Sequence, residues 1–259
     1  MTPGRDAGTA PPTGTVRPMS WFGRRPWGAE HVVLAAATAV TVAGAVLEKE
    51  SWQRVAKPLI GPALAVRVLR QSRDTTPADT ALLLGGLAAA TAGDVFMIRS
   101  DEDPRILRGA GSFAVMQAAY STVLVRHGAR VTRSAALQRA GAVLGAAGLL
   151  GTRSRPVAVP LTGYGAVLGT TATLAGDSSL APGSPRVAGL AVPCTDRRSW
   201  LGLGGLVFTA SDGTIVLRRT LLKNERARAA AEGFVLVTYV AAQVLLVEGM
   251  LALARRNAR

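Results

Sequence analysis

The sequence predicts an all-α, polytopic membrane helical bundle with about eight transmembrane helices. Three observations carry this reading. The 259 residues are 49% hydrophobic but only 5% aromatic, an Ala-, Leu-, Val- and Gly-rich balance that suits helices in lipid. Apolar stretches recur along the chain at lengths near the ~17–25 residues that cross a hydrocarbon core. Two of them, Thr80–Ile98 and Ser199–Leu217, each hold a single charge within 19 residues, Asp94 and Asp212. A carboxylate near the middle of a bilayer helix costs roughly 2.5–3.5 kcal/mol, so such a residue is rare and marks a site.

Residues 1–29 are rich in Pro, Gly, Thr and Arg without apolar periodicity, and read as a disordered cytoplasmic lead. The first apolar stretch, His31–Leu47, starts far from Met1 and ends in Glu48-Lys49-Glu50, so it reads as a retained span and not as a signal peptide. The second, Trp52–Leu69, carries Lys57 and Arg67 near its ends, where long side chains snorkel to the headgroups. Thr80–Ile98 and Gly109–Val125 follow. The fifth stretch, Ser134–Gly151, carries Arg139 in the same snorkelling position, and Pro156–Gly176 is the sixth. Asp177–Arg198, with Pro182, Gly183, Pro185 and Pro193, is the one long connection, and it reads as a solvated loop in preference to a lid. Ser199–Leu217 and Gly233–Ala254, the latter broken only by Glu248, complete an eight-helix domain over residues 30–254. Residues 255–259 form a short basic tail.

The formal net charge of +14 does not indicate nucleic acid, because the arginines are spread over every inter-helix loop instead of gathered on one face. Alternate assignment of the loops puts 17 Lys and Arg on the N-terminal side and 13 on the other. By the positive-inside rule both termini are expected in the cytoplasm, on a multi-pass protein of the cell membrane. The single Cys194 excludes an internal disulfide.

Helical spacing aims the polar residues inward. Gly86, Ala90 and Asp94 share one face of the third span, and Gly204, Phe208 and Asp212 repeat that spacing on the seventh. Gly109, Phe113, Gln117 and Tyr120 form a stripe on the fourth, and Tyr239 and Gln243 lie one turn apart on the eighth. Both acids fall in the last turns of spans that run the same way, so they share a depth in the half away from the cytoplasm, where Lys57 also begins span two. Blander roles stand beside this one. Inward polar groups serve as hydrogen-bonded struts, tyrosines including Tyr164 as packing residues, and Lys57-Pro58 as a plain helix start. Glu248 is expected to pair with Arg255 and Arg256. His31 and His127, both read as interfacial, are too few for a histidine zinc site, and no cofactor is expected. Ser211 has no intramembrane His partner, which reads it as a helper to Asp212 and not a nucleophile.

At these residues the chain resembles a known family. Lys57-Pro58-Leu59, Gly93-Asp94-Val95-Phe96-Met97, the Gly109 to Tyr120 stripe, Phe208-Thr209-Ala210-Ser211-Asp212 and Tyr239-Val240-Ala241-Ala242-Gln243 are similar, in order, to the motifs of the lysoplasmalogenase (YhhN-like) family of integral membrane proteins. Gln117 stands where that family often has histidine. The resemblance implies hydrolysis of the vinyl ether bond of a lysoplasmalogen to a fatty aldehyde and glycerophospho-ethanolamine or -choline. Asp94 and Asp212 would be its catalytic pair, with Lys57, Gln117, Tyr120, Ser211, Tyr239 and Gln243 around the substrate. The partners so implied are a lysophospholipid or ether lipid and the membrane itself. Protonation of the vinyl ether β-carbon followed by attack of water needs one protonated and one ionised carboxyl, and two acids in a low-dielectric site divide those roles. Lys57, or less directly Arg108, is placed to meet the lipid phosphate. A proton-coupled transporter or a non-catalytic lipid-binding bundle are the alternatives. Paired intramembrane acids suit the former, but the chain has no evident internal repeat, and only span two is interrupted by proline, at Pro58 and Pro62.

Overall fold

The computed structural model describes residues 29–47, 49–99 and 101–257. The disordered lead expected over residues 1–29 lies outside the described residues apart from Ala29, which begins the first helix, and so do the last two residues of the basic tail. Nine α-helices are described: α1 (Ala29–Val46), α2 (Glu50–Ala56), α3 (Ile60–Arg70), α4 (Pro77–Phe96), α5 (Asp103–Arg126), α6 (Arg133–Arg153), α7 (Arg155–Ala175), α8 (Trp200–Thr220) and α9 (Glu225–Asn257). They occupy the eight expected positions, because the second span is broken into α2 and α3 by a 3-10 turn over Lys57–Leu59. Pro58 causes the break: it has no N–H for an α-helical bond and stands at the start of the turn, where that loss is tolerated.

Four helices are long and apolar enough to cross a membrane, Pro77–Phe96, Arg155–Ala175, Arg197–Thr220 and Glu225–Arg255, and Val32–Ala45 is a shorter apolar helix. The chain is an all-α membrane protein. α5 begins Asp-Pro-Arg-Ile-Leu-Arg and carries Gln117, and α6 holds Arg133, Arg139 and Arg153, which lowers the mean hydropathy of both.

The helices close into a ring. α1 packs on α9, α9 on α8, α8 on α7, α7 on α5, α5 on α4, α4 on α3 and α3 back on α1, while α6 lies outside against α7 and α8. Small residues set the close approaches at the seams. A Cβ on Gly93 would stand 2.9 Å from the Phe113 ring, one on Gly86 2.8 Å from the Tyr120 ring, and one on Gly205 3.0 Å from the Ala172 backbone. α4 and α8, which carry the two acids, are not neighbours in this ring, yet Asp94 and Asp212 line one small cavity. Asp94 lies in the last turn of α4, whereas α8 continues about two turns beyond Asp212.

Several polar residues sit differently from expectation. Glu248 is buried and pairs with Arg67, Nε to Oε1 at 2.6 Å, and with Arg197, instead of with the arginines that follow it on α9. Seven residues along a helix carry Arg255 away from Glu248, while α3 and the turn before α8 reach it sideways; Arg255 instead meets Gln71. Arg67 therefore lies between helices and does not snorkel. Arg139 is also buried, its side chain lying along α7 from Gly169 to Gly176. His127 is buried too, its Nε2 3.0 Å from Asp79 at the start of α4. Residues 177–198 hold a two-residue hairpin, Arg186–Val187 with Leu190–Ala191, between two 3-10 turns.

Candidate active site

Two adjoining cavities lie where α4, α5, α7, α8 and α9 converge. The smaller, about 20 Å³, is polar, and Lys57, Asp94, Ser211, Asp212, Glu232 and Tyr239 line it. That volume admits about one water molecule. The larger, about 170 Å³, is an apolar chamber walled by α5, α6, α7 and α8, with Leu161, Leu168 and Val216 among its lining residues. Met97, Phe113, Asp212 and Ile215 line both, so Asp212 stands at the junction of a polar pocket and an apolar chamber. None of residues 177–198 lines either cavity.

Each acid carries a phenol. The Tyr239 hydroxyl donates to Asp94 Oδ2 at 3.0 Å, and the Tyr164 hydroxyl donates to Asp212 Oδ2. Behind Tyr239 runs a relay: Tyr120 donates to Gln243 Oε1 at 3.0 Å, and Gln243 Nε2 donates to the Tyr239 oxygen at 3.2 Å and to Met116 Sδ at 3.1 Å. All three tyrosines of the chain thus belong to the network around the acids. Phe113 and Phe208 hold the Tyr239 ring edge-on, at 5.7 and 5.8 Å between centroids. Asp94 Oδ1 is buried and has no hydrogen-bond partner among the described residues, and the charge of Lys57 acts on this carboxyl. Lys57 itself is 5% exposed, brought inward by the turn that Pro58 imposes.

Of the predicted site residues, Asp94, Asp212, Lys57, Ser211 and Tyr239 line the polar pocket. Tyr120 and Gln243 stand one layer behind, acting through Tyr239. Gln117 is fully buried with both amide atoms unpartnered, close to the Tyr164 hydroxyl but outside hydrogen-bond geometry. Ser211 differs from expectation: its hydroxyl donates to the Val235 carbonyl at 3.0 Å, tying α8 to α9. Arg108 is exposed on α5 and lines neither cavity. Tyr164 is the residue that sequence reasoning left among packing residues. Its signal was a phenol between Gly163 and Gly165 in an apolar span, since a buried hydroxyl needs a partner. Among the described residues no three His, Cys, Asp or Glu side chains gather into a metal-ligand set.

The model of the YhhN family matches residues 52–250, most of the chain and every residue that lines the polar pocket. The chain belongs to the YhhN family. The match begins after α1, so the YhhN region comprises the broken second span and all later helices up to Met250. No curated protein and no solved structure matches the chain.

Proposed function

We propose that this YhhN-family protein is a multi-pass membrane hydrolase that cleaves the vinyl ether of a lysoplasmalogen or related lysolipid. One observation carries the reading: two carboxyls from helices that are not neighbours line a single pocket with room for one water, beside an apolar chamber suited to a hydrocarbon chain. The chain's aliphatic part occupies the chamber, and its first carbons meet Asp212 at the junction. Lys57 sets a positive charge in the same polar pocket. Tyr239 donates to Asp94 and Tyr164 to Asp212, and we assign Asp94 as the carboxylate and Asp212 as the acid.

Catalysis then runs in three steps with four proton transfers. Asp212 protonates the β-carbon of the vinyl ether, giving an oxocarbenium ion flanked by two carboxylates. Water in the polar pocket attacks the α-carbon, and Asp94 takes its proton through Oδ1. The resulting hemiacetal collapses: Asp94 returns its proton to the departing ether oxygen, and the hemiacetal hydroxyl reprotonates Asp212. The products are an aldehyde and a glycerophospho-alcohol, with both acids restored.

The test is aldehyde release by purified protein from 1-alkenyl, 1-alkyl and 1-acyl lysophospholipids. Aldehyde from the alkenyl lipid alone is expected. In D₂O that aldehyde should carry one deuterium on the carbon next to the carbonyl, because the enzyme's exchangeable proton is delivered there. Binding of alkenyl lipid with no aldehyde from any headgroup class would overturn the hydrolase reading.

A further inference from the structure

The apolar chamber has a charged end that the proposed reaction does not use. Arg139, on α6, is 7% exposed and lines this chamber. Its Nη1 donates to the Ala135 carbonyl at 3.1 Å, but Nε and Nη2 are buried with no hydrogen-bond partner. Those two nitrogens form one edge of the planar guanidinium, the fork that takes the two oxygens of a carboxylate side by side. An unpaired guanidinium in apolar surroundings is costly, so the edge calls for an anion. Among the described residues no acidic side chain lines the chamber except Asp212, which stands at its other end.

The distance between these ends excludes the headgroup of a reacting lipid. Arg139 Nη2 lies beside Gly176, and Asp212 is bonded to Tyr164. From Tyr164 to Gly176, α7 rises roughly 18 Å at about 1.5 Å per residue. In a lysolipid only a few bonds separate phosphate from vinyl ether. A lipid whose ether meets Asp212 therefore cannot place its phosphate on Arg139, whereas a single-chain acid of matching length can lie between them.

We propose that the chamber binds a long-chain fatty acid anion, its carboxylate paired to the Nε/Nη2 edge of Arg139 and its hydrocarbon tail directed toward Asp212. The chamber wall of Ala142, Val143, Ala146, Leu161, Gly165 and Leu168 supplies the apolar contact along the chain. Binding stands independently of the hydrolase reading. Where that reading also holds, the acid occupies the volume of the substrate chain and acts as a competitive inhibitor.

The test is displacement of a fluorescent fatty-acid analogue from full-length protein in detergent, with palmitate, hexadecanol and acetate as competitors. Palmitate should displace it saturably, while hexadecanol lacks the charge and acetate the chain, so neither should compete at the same concentrations. Arg139→Gln should weaken palmitate by at least about tenfold, the value of a lost charge-assisted pair. Arg139→Lys, which keeps the charge without the fork, should fall between. Ala146→Phe fills the chamber while leaving Arg139 in place and should also abolish displacement, which keeps the proposal testable if the Arg139 variants fold poorly. Equal competition by hexadecanol would show apolar partitioning alone and overturn the proposal. So would full palmitate affinity in a folded Arg139→Gln protein. Palmitate binding with no aldehyde release from the wild type would sink the hydrolase and leave this site standing.

Discussion

At the scale of single residues, the two phenols make the clearest claim. Tyr239 and Tyr164 each hold one carboxyl oxygen of the pair, and a buried hydrogen bond to a charged group is worth about 1.5–3 kcal/mol. Tyr239→Phe and Tyr164→Phe should each lower kcat/KM for an alkenyl lysolipid by about 10- to 100-fold and also lower the thermal midpoint, because each leaves a buried carboxyl oxygen without its donor. Unchanged rates would make both packing residues. Gln117→Leu tests the unpartnered amide beside Tyr164: loss of polar atoms that bond nothing should leave stability unchanged or raised, so only a rate effect would give this side chain a role at the substrate. The acids, Lys57, Tyr239 and the Tyr120–Gln243 pair were legible in the sequence because charge or a phenol in an apolar span needs an inward partner. Tyr164 was not placed, since nothing in the spacing of α7 says which helix it faces. Ser211 was read as a helper to its chain neighbour, but a helical hydroxyl is free to bond a carbonyl on the helix packed beside it, here Val235.

At the scale of elements, glycine seams position the site. Gly86 lets α4 approach α5 so closely that an added Cβ would stand 2.8 Å from the Tyr120 ring, while its neighbour Gly85 has nothing within 4 Å. Gly86→Val should cost about 1–3 kcal/mol through overpacking and should push Tyr120 off Gln243, lowering activity as well. Gly85→Val should change neither. Thermal unfolding in detergent together with aldehyde release separates the two outcomes, and equal behaviour of the pair would contradict the seam. The positions of the helices were readable from apolar length, and the break in the second was signalled by Pro58 and Pro62. The outward place of α6 was not readable, because hydropathy records how apolar a helix is and not which neighbour it packs on. For the same reason the burial of Arg139 against α7 was not readable.

At the scale of the whole molecule, the ring is fastened by ion pairs between segments distant in sequence. Glu248 joins Arg67 on α3 and Arg197 before α8 to α9, and its removal leaves Arg67, with 18% of its side chain exposed, without its counter-ion. Glu248→Gln should destabilise the protein by about 3–5 kcal/mol while leaving the cavities' lining intact, as read by the thermal midpoint. A second set closes the end nearer the acids: Arg218 and Arg228 meet Asp101, Arg219 meets Asp103, and Arg218 reaches Glu232 at the polar pocket. Reporters fused after Arg259 should read cytoplasmic and reporters in the Arg99–Arg108 loop should not; the reverse pattern would invert the side on which the site lies. The paired acids at the centre of the ring are the central claim, and Asp94→Asn, Asp212→Asn and the double variant test it most directly, by aldehyde release from an alkenyl lysolipid. Each single change should lower kcat by about 10²- to 10⁴-fold in a folded protein, and the double variant should be scarcely worse than either, because groups that act in one proton cycle do not contribute independently. Mild losses that multiply in the double variant would make the two carboxyls struts and contradict the pair.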